Sequence, residues 1–287
     1  MQFPGGQPGY DGGMSGASLM SLAALTCYVA AEAFAVAHIR RDRAFLGTAT
    51  TLLLLAGFWI HFLALTFGAR ATHTVPYNTL PGSMSLFAWM LVGAYGVLLL
   101  IHREVSTGPF LIPLAILFMG ISLATAASPA AVPVPPPAKL TGALFAWHVT
   151  IAIFGYAAFT LSFVLAQLYL IQTRQLHRRK AGLLFAKLPA LDVVWGLHRS
   201  AAILGVLALA TATTLGLIWA RQNWNTFWDA KVAFTLLMIA VYLFTLVAPR
   251  LGLGGKRTAW VSIGGFCLLM FSYTVVNLFI TTEHVFH

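Results

Sequence analysis

The chain has 287 residues, of which 59% are hydrophobic and only 8% charged, whereas soluble domains carry about 25% charged residues. With a mean hydropathy of +0.84, a soluble globular domain is excluded, because it would have nowhere to bury so much apolar surface. The formal charge of +10 does not point to nucleic acid, since the Lys and Arg fall in short links between apolar runs rather than on a solvated basic face.

Residues 1–16 are Gly-rich and carry no Lys or Arg. They lack the basic flank of a secretory signal and read as a flexible leader on the outer side. About 20 apolar residues cross a bilayer as a helix. Eight runs qualify, at 17–39, 45–68, 83–102, 109–128, 141–171, 200–220, 230–249 and 259–281. The expected fold is an all-α integral membrane protein, a bundle of about eight transmembrane helices. The fifth run would reach about 46 Å at the helical rise, longer than the apolar core, so it tilts or projects.

Orientation follows from the basic residues. With the N-terminus outside, the inner links hold thirteen of the seventeen Lys and Arg, leaving Arg70, Lys139, Arg221 and Lys231 outside. That bias places both termini on the outer, periplasmic side of a bacterial inner membrane. Three links have content of their own. Residues 69–82 form an outer loop, and 126–139 are Pro-rich and extended. Residues 172–199 are the longest inner link, with an apolar patch from Leu183 to Phe185 that suits the leaflet surface. Cys27 and Cys267 each lie in an apolar run and read as buried free thiols. No Cys-x-x-Cys-His is present, so the chain does not attach haem covalently to itself.

Of the nine His, depth separates the candidates. His38, His102, His177 and His198 fall at inner helix ends or links and read as interfacial residues. His148 lies near the outer start of the fifth span and His284 just past the outer end of the eighth. Two neutral imidazoles at one depth can hold a haem iron in a six-coordinate site. His61, on the outer side of the middle of the second span, is a further ligand candidate. Its other reading is a neutral imidazole bonded to a neighbouring helix. Glu32 is likewise deep, and either pairs with a buried donor or belongs to a proton path. Between the sixth and seventh spans runs Trp219-Ala-Arg-Gln-Asn-Trp224-Asn-Thr-Phe227-Trp228-Asp229-Ala-Lys231. A membrane rim needs no such density of flat rings, but a planar ligand held at the membrane face does.

This segment resembles the tryptophan-rich WWD segment of CcsA-type cytochrome c assembly proteins. Phe145-Ala-Trp-His148, with Gly155-Tyr156-Ala157-Ala158, resembles that family's first outer-face His helix. Asp192, Arg199 and Gly205 resemble the start of the helix leading into the segment. Gly254-Gly255-Lys256-Arg257 resembles its basic inner turn, and Val276-Asn277 with His284 its second outer His. The likeness covers about residues 140–287, and the first half resembles the HemX and YpjD relatives, which carry a His in the second span where His61 stands. It implies three parts: the leader, residues 17–139 with four helices, and a haem-handling part, 140–287, bearing the WWD-like segment 219–231.

The resemblance implies a non-covalent b-type haem at the outer face with His148 and His284 as axial ligands. Trp219, Trp224, Phe227, Trp228 and Asp229 would form its platform, and Arg221 and Lys231 would neutralise its propionates. The expected partners are the lipid bilayer, apocytochrome c and a CcsB-like membrane protein, as part of a cytochrome c haem lyase or synthase complex. The pattern departs in places. The segment is two residues shorter and has one Trp fewer. Ala230 stands for Pro and Val232 for Glu, and Tyr242-Leu243-Phe244 replaces Tyr-Leu-His. Two alternatives stay open: a b-type haem subunit of a larger redox complex, with His61 and His148 as the pair, and a HemX-like regulator.

Overall fold

The computed structural model describes residues 16–41, 43–72, 76–128, 142–177, 188–223 and 230–271. Among the described residues it is all helical. The elements are α1 (Gly16–Arg41), α2 (Ala44–Thr72), α3 (Leu80–His102), α4 (Gly108–Thr125), α5 (Ala143–His177), α6 (Leu191–Asn223), α7 (Ala230–Val247) and α8 (Gly255–Phe271), with 3-10 turns at Pro76–Asn78 and Ala248–Leu251. Seven helices are long and apolar enough to cross a membrane, so the chain is a multi-pass membrane protein. The eighth expected span corresponds to α8, whose described part has 17 residues; the rest of that run, the leader 1–15 and the Pro-rich residues 129–141 lie outside the described residues.

The helices overrun the apolar windows at their polar ends. α2 continues through Arg70, which leaves a shorter link than 69–82 before α3. α5 runs 35 residues and α6 starts at Leu191, ahead of the apolar run that begins at 200. Between them they take up both ends of the expected 172–199 link. Straight-chain residues such as Arg174 and Gln175 continue a helix at little cost, and backbone emerging from a bilayer is best satisfied inside the helix. Local signals set other ends. Thr79 caps α3 by accepting from the Gly82 amide at 3.1 Å. Gly252, at φ 78°, stops the turn before α8. Pro113 is carried inside α4, as transmembrane helices permit.

Two antiparallel pairs organise the bundle. α1 lies along α2, while α5 and α6 form the most extensive interface. α3 packs on both α4 and α5 and so joins the halves; α7 and α8 cover α5 and α6. The α5–α6 seam is made of small residues, with Ala157, Ala158, Ala201, Ala202 and Ala212 fully buried. Small side chains let helix backbones approach closely in lipid. At Gly205 a ring takes the place of the missing side chain: a Cβ there would sit 2.5 Å from the Phe159 ring. Phe159 in turn stacks on Tyr242 of α7 at 3.8 Å. Much of the remaining surface is apolar and exposed, including Trp59, Trp147, Leu207 and Trp260, as expected where lipid rather than water is the solvent. Cys27 and Cys267 are free thiols as expected, but neither is fully buried: Cys27 is half-buried and Cys267 is exposed on this surface.

Candidate functional site

His148 is set by a pair of matched turns across the antiparallel hairpin. On α5, Phe145 and His148 are three residues apart and share a face. On α6, Ala212, Gly216 and Trp219 line the opposing stripe. The Phe145 ring packs on the Trp219 indole with centroids 4.8 Å apart, and it lies 6.2 Å from the His148 ring. Tyr77, from the turn before α3, meets Phe145 edge-on at 6.2 Å. Its burial raises the hydroxyl above the ordinary tyrosine value.

The imidazole lies over Gly216, where a Cβ would be 2.5 Å from Cε1 and 2.6 Å from Nδ1. Its Nδ1–H donates to the Ala212 carbonyl at 2.7 Å. A carbonyl can only accept, so this bond puts the proton on Nδ1 and the lone pair on Nε2. Fixing one ring nitrogen on a backbone carbonyl is the arrangement by which proteins orient a metal-ligating imidazole. The ring is half-buried. The donor type, tautomer and rigid seat fit an iron ligand at this end of the hairpin.

The other candidate residues fall into three groups. Trp219 is 4% exposed and braces Phe145 from within α6, so its indole supports the His148 turn. Arg221 lies one turn or less beyond it, exposed, on the same end of the helix. Trp224, Phe227, Trp228, Asp229 and His284 lie outside the described residues, as does the side chain of Lys231. The structure therefore brings together His148, Trp219 and Arg221 at one end of α5–α6.

His61 is separate from that cluster. It is 0% exposed on α2, with Nδ1 3.1 Å from the Tyr28 hydroxyl and Nε2 2.8 Å from the Ser85 hydroxyl. Ser85 also donates toward the Met119 sulfur at 3.9 Å. The Ser85 proton is thus directed to Met119, so Nε2–H donates to Ser85 and the Tyr28 hydroxyl donates to Nδ1. Both ring nitrogens are engaged in bonds to neighbouring helices, the second of the two readings that the sequence leaves open.

His198 was missed. Its place near the inner end of a span suggests an interfacial residue, yet it is 2% exposed. It lies in the α5–α6 seam, with Nδ1 3.0 Å from both the carbonyl and the hydroxyl of Ser162, and its ring lies 4.9 Å from Trp195. The available signal was its register: His198 leads the same stripe as Ala201, Ala202, Gly205 and Leu209. His102 is also held, with Nε2 2.8 Å from the Ser200 hydroxyl. His38, half-buried, and His177, exposed, lie near helix ends as expected. No group of three or more metal-ligating side chains occurs among the described residues.

The family described as cytochrome C assembly protein matches residues 77–284. The protein HemX of Brevibacillus brevis is 31% identical over 174 residues, 58% of this chain and 61% of that protein. The protein HemX of Bacillus subtilis is 31% identical over 142 residues, 48% of this chain and 51% of its own. The cytochrome c biogenesis protein CcsA of Chlamydomonas reinhardtii is 30% identical over 143 residues, 46% of this chain and 37% of that protein. The chain therefore spans less than two thirds of the length of these curated relatives.

Proposed function

The chain belongs to the cytochrome c assembly protein family, and from that premise we propose that it holds a b-type haem at the outer membrane face and presents it for c-type cytochrome maturation. His148 and His284 would hold the haem iron in this reading. Trp224, Phe227, Trp228 and Asp229 line the ring edge, and Arg221 and Lys231 neutralise the carboxylates. Bound haem supplies the vinyl groups to which the thiols of an apocytochrome Cys-x-x-Cys-His segment are joined. The chain's own residues orient and hold. The Ala212 carbonyl keeps the His148 proton on Nδ1, Gly216 admits the ring, and the Phe145–Trp219 pair prevents it from swinging away. Such holding lets an external partner react with a fixed target. The partners in this reading are apocytochrome c and a CcsB-like membrane protein, in a bacterial inner membrane with both termini outside.

The single observation that carries the reading is the tethered imidazole over Gly216. It favours His148 with His284 over a pairing of His148 with His61, because His61 would first have to release Tyr28 or Ser85. The test is absorption spectroscopy of protein purified from membranes. A bis-imidazole b-type spectrum should be lost in His148→Ala and in His284→Ala and kept in His61→Ala. Spectra unchanged in all three variants remove haem from these residues.

A second reading, a HemX-like regulator acting through partners of haem synthesis, is favoured by the shortened Trp segment. Among the relatives above, similarity to the HemX proteins also covers more of the chain. Co-expression with a CcsB-like protein in cells lacking their own c-type maturation separates the two, since only an assembly factor restores holocytochrome c.

A further inference from the structure

The first four helices are almost wholly apolar inside, yet one line of polar groups runs through them. It uses two of the chain's seven acids. At the basic end, Glu104 follows the end of α3, and its carboxylate accepts from the Ser106 amide at 2.8 Å. Next comes Tyr95, fully enclosed, whose hydroxyl donates to the Val105 carbonyl at 3.4 Å. Glu104 and Glu32 are both near enough to act on that hydroxyl, and the Thr107 side chain lies against it. Thr107 is 0% exposed. Its Oγ1 and the Oε2 of Glu32 are buried without hydrogen-bond partners among the described residues. Buried oxygens of that kind are satisfied by water or a proton.

From Glu32 the line continues upward. Tyr28 is one turn away on the same face of α1. A Cβ at Gly57 would lie 2.7 Å from the Tyr28 ring, so the missing side chain on α2 is what admits it. There Tyr28 bonds His61, and His61 bonds Ser85. Glu32 lies about 14 Å from the basic end of α1, and His61 about 26 Å from the basic end of α2, by helical rise. The line therefore crosses most of a hydrocarbon core of about 30 Å. It ends at the Met119 thioether, which accepts a hydrogen bond weakly and passes no proton on.

We propose that Glu32, Tyr28 and His61 form a proton-loading seam that fills from the basic end past Glu104 and Tyr95. The Glu32 carboxyl gives its proton to the Tyr28 oxygen as the Tyr28 hydroxyl proton passes to His61 Nδ1. This leaves an imidazolium and a carboxylate near each other in the apolar bundle. A second proton, from water at Glu104, restores the carboxylic acid. From the carboxylate form the net change is two protons taken up from the basic side, one held on His61 and one on Glu32. The groups facing the seam are Cys27 and Tyr28 on α1, Ser85 and Tyr95 on α3, Met119 on α4, and Thr107 and Glu104 in the link. His38 and Arg43 close the α1–α2 turn at the mouth. Intramembrane carboxyl and imidazole groups in one line are the usual parts of a proton relay.

The test is pH-difference infrared spectroscopy of the full chain in lipid vesicles, with thermal unfolding checking that each variant folds. The wild type should show a carboxylic-acid band that appears as pH falls, lost in the isosteric Glu32→Gln. His61→Gln should move its midpoint. Glu104→Gln should keep the band and slow its appearance after a pH jump by at least about tenfold, as loss of a positioned acid–base group does. Unchanged carboxyl bands in folded Glu32→Gln, or a midpoint indifferent to His61→Gln, overturn the proposal.

Discussion

Replacing Gly216 by Ala tests the seat of His148 most directly. The new methyl carbon would lie 2.5 Å from Cε1 and 2.6 Å from Nδ1, whereas carbon atoms settle at about 3.5–4.0 Å. The ring must retreat by about 1 Å or rotate, and either motion breaks its 2.7 Å bond to the Ala212 carbonyl. Helix propensity favours Ala over Gly by about 1 kcal/mol. Against that stand overpacking, about 1–3 kcal/mol, and a lost hydrogen bond of about 1 kcal/mol. The net destabilisation is about 1–3 kcal/mol. Losing the partner that orients a metal ligand lowers affinity by about 10–100-fold. The assay is titration of the purified protein with haem, followed by absorbance, alongside unfolding in mild detergent. Gly264→Ala is the control, because a Cβ there meets nothing within 4 Å. Wild-type haem affinity in Gly216→Ala, or an equal loss in Gly264→Ala, refutes the reasoning.

Three other substitutions and a pair of singly introduced cysteines probe separate features. Gly205→Ala drives a methyl into the Phe159 ring at 2.5 Å, and thermal unfolding should show a loss of about 1–3 kcal/mol. Tyr28→Phe removes the donor to His61 Nδ1, leaving a buried acceptor; the same measurement should show a loss of about 1–3 kcal/mol. Arg103 holds the left-handed position at the end of α3, with φ 54°, so Arg103→Gly should raise stability by up to about 1 kcal/mol, read as a higher unfolding midpoint. Cysteines introduced singly at Arg221 and Arg250, with Cys27 and Cys267 replaced, report orientation. A membrane-impermeant maleimide should label the first in intact cells and the second only after lysis.

Fold class was legible because bilayer thickness leaves its mark on run length, and the seven spans follow the apolar windows from α1 to α7. Helix ends were less so. Arg70, Arg174 and Asp192 are polar, and a hydropathy window stops before them, but they are acceptable helix residues and the backbone continues. Likewise His148 was legible by depth and by its neighbours in the chain. The Ala212 carbonyl and the missing side chain of Gly216 were not, because they lie more than sixty residues away and act through backbone and vacant space. His198 was misjudged for the same reason. Hydropathy placed it near a membrane face, whereas packing turned it inward along the stripe it shares with Ala201 and Gly205. Ser162, its acceptor, carries no signal in sequence.

Along α6, two glycines each receive a ring from α5: a Cβ at Gly205 would sit 2.5 Å from the Phe159 ring, and one at Gly216 2.5 Å from that of His148. The helix is notched like the bar of a lock, with two pins from α5. It cannot slide lengthwise without lifting both pins together. A message between the two membrane faces is therefore not carried by a piston stroke of this rod. Motion linking the faces has to travel as a tilt of the whole hairpin, or through the outer covering helices.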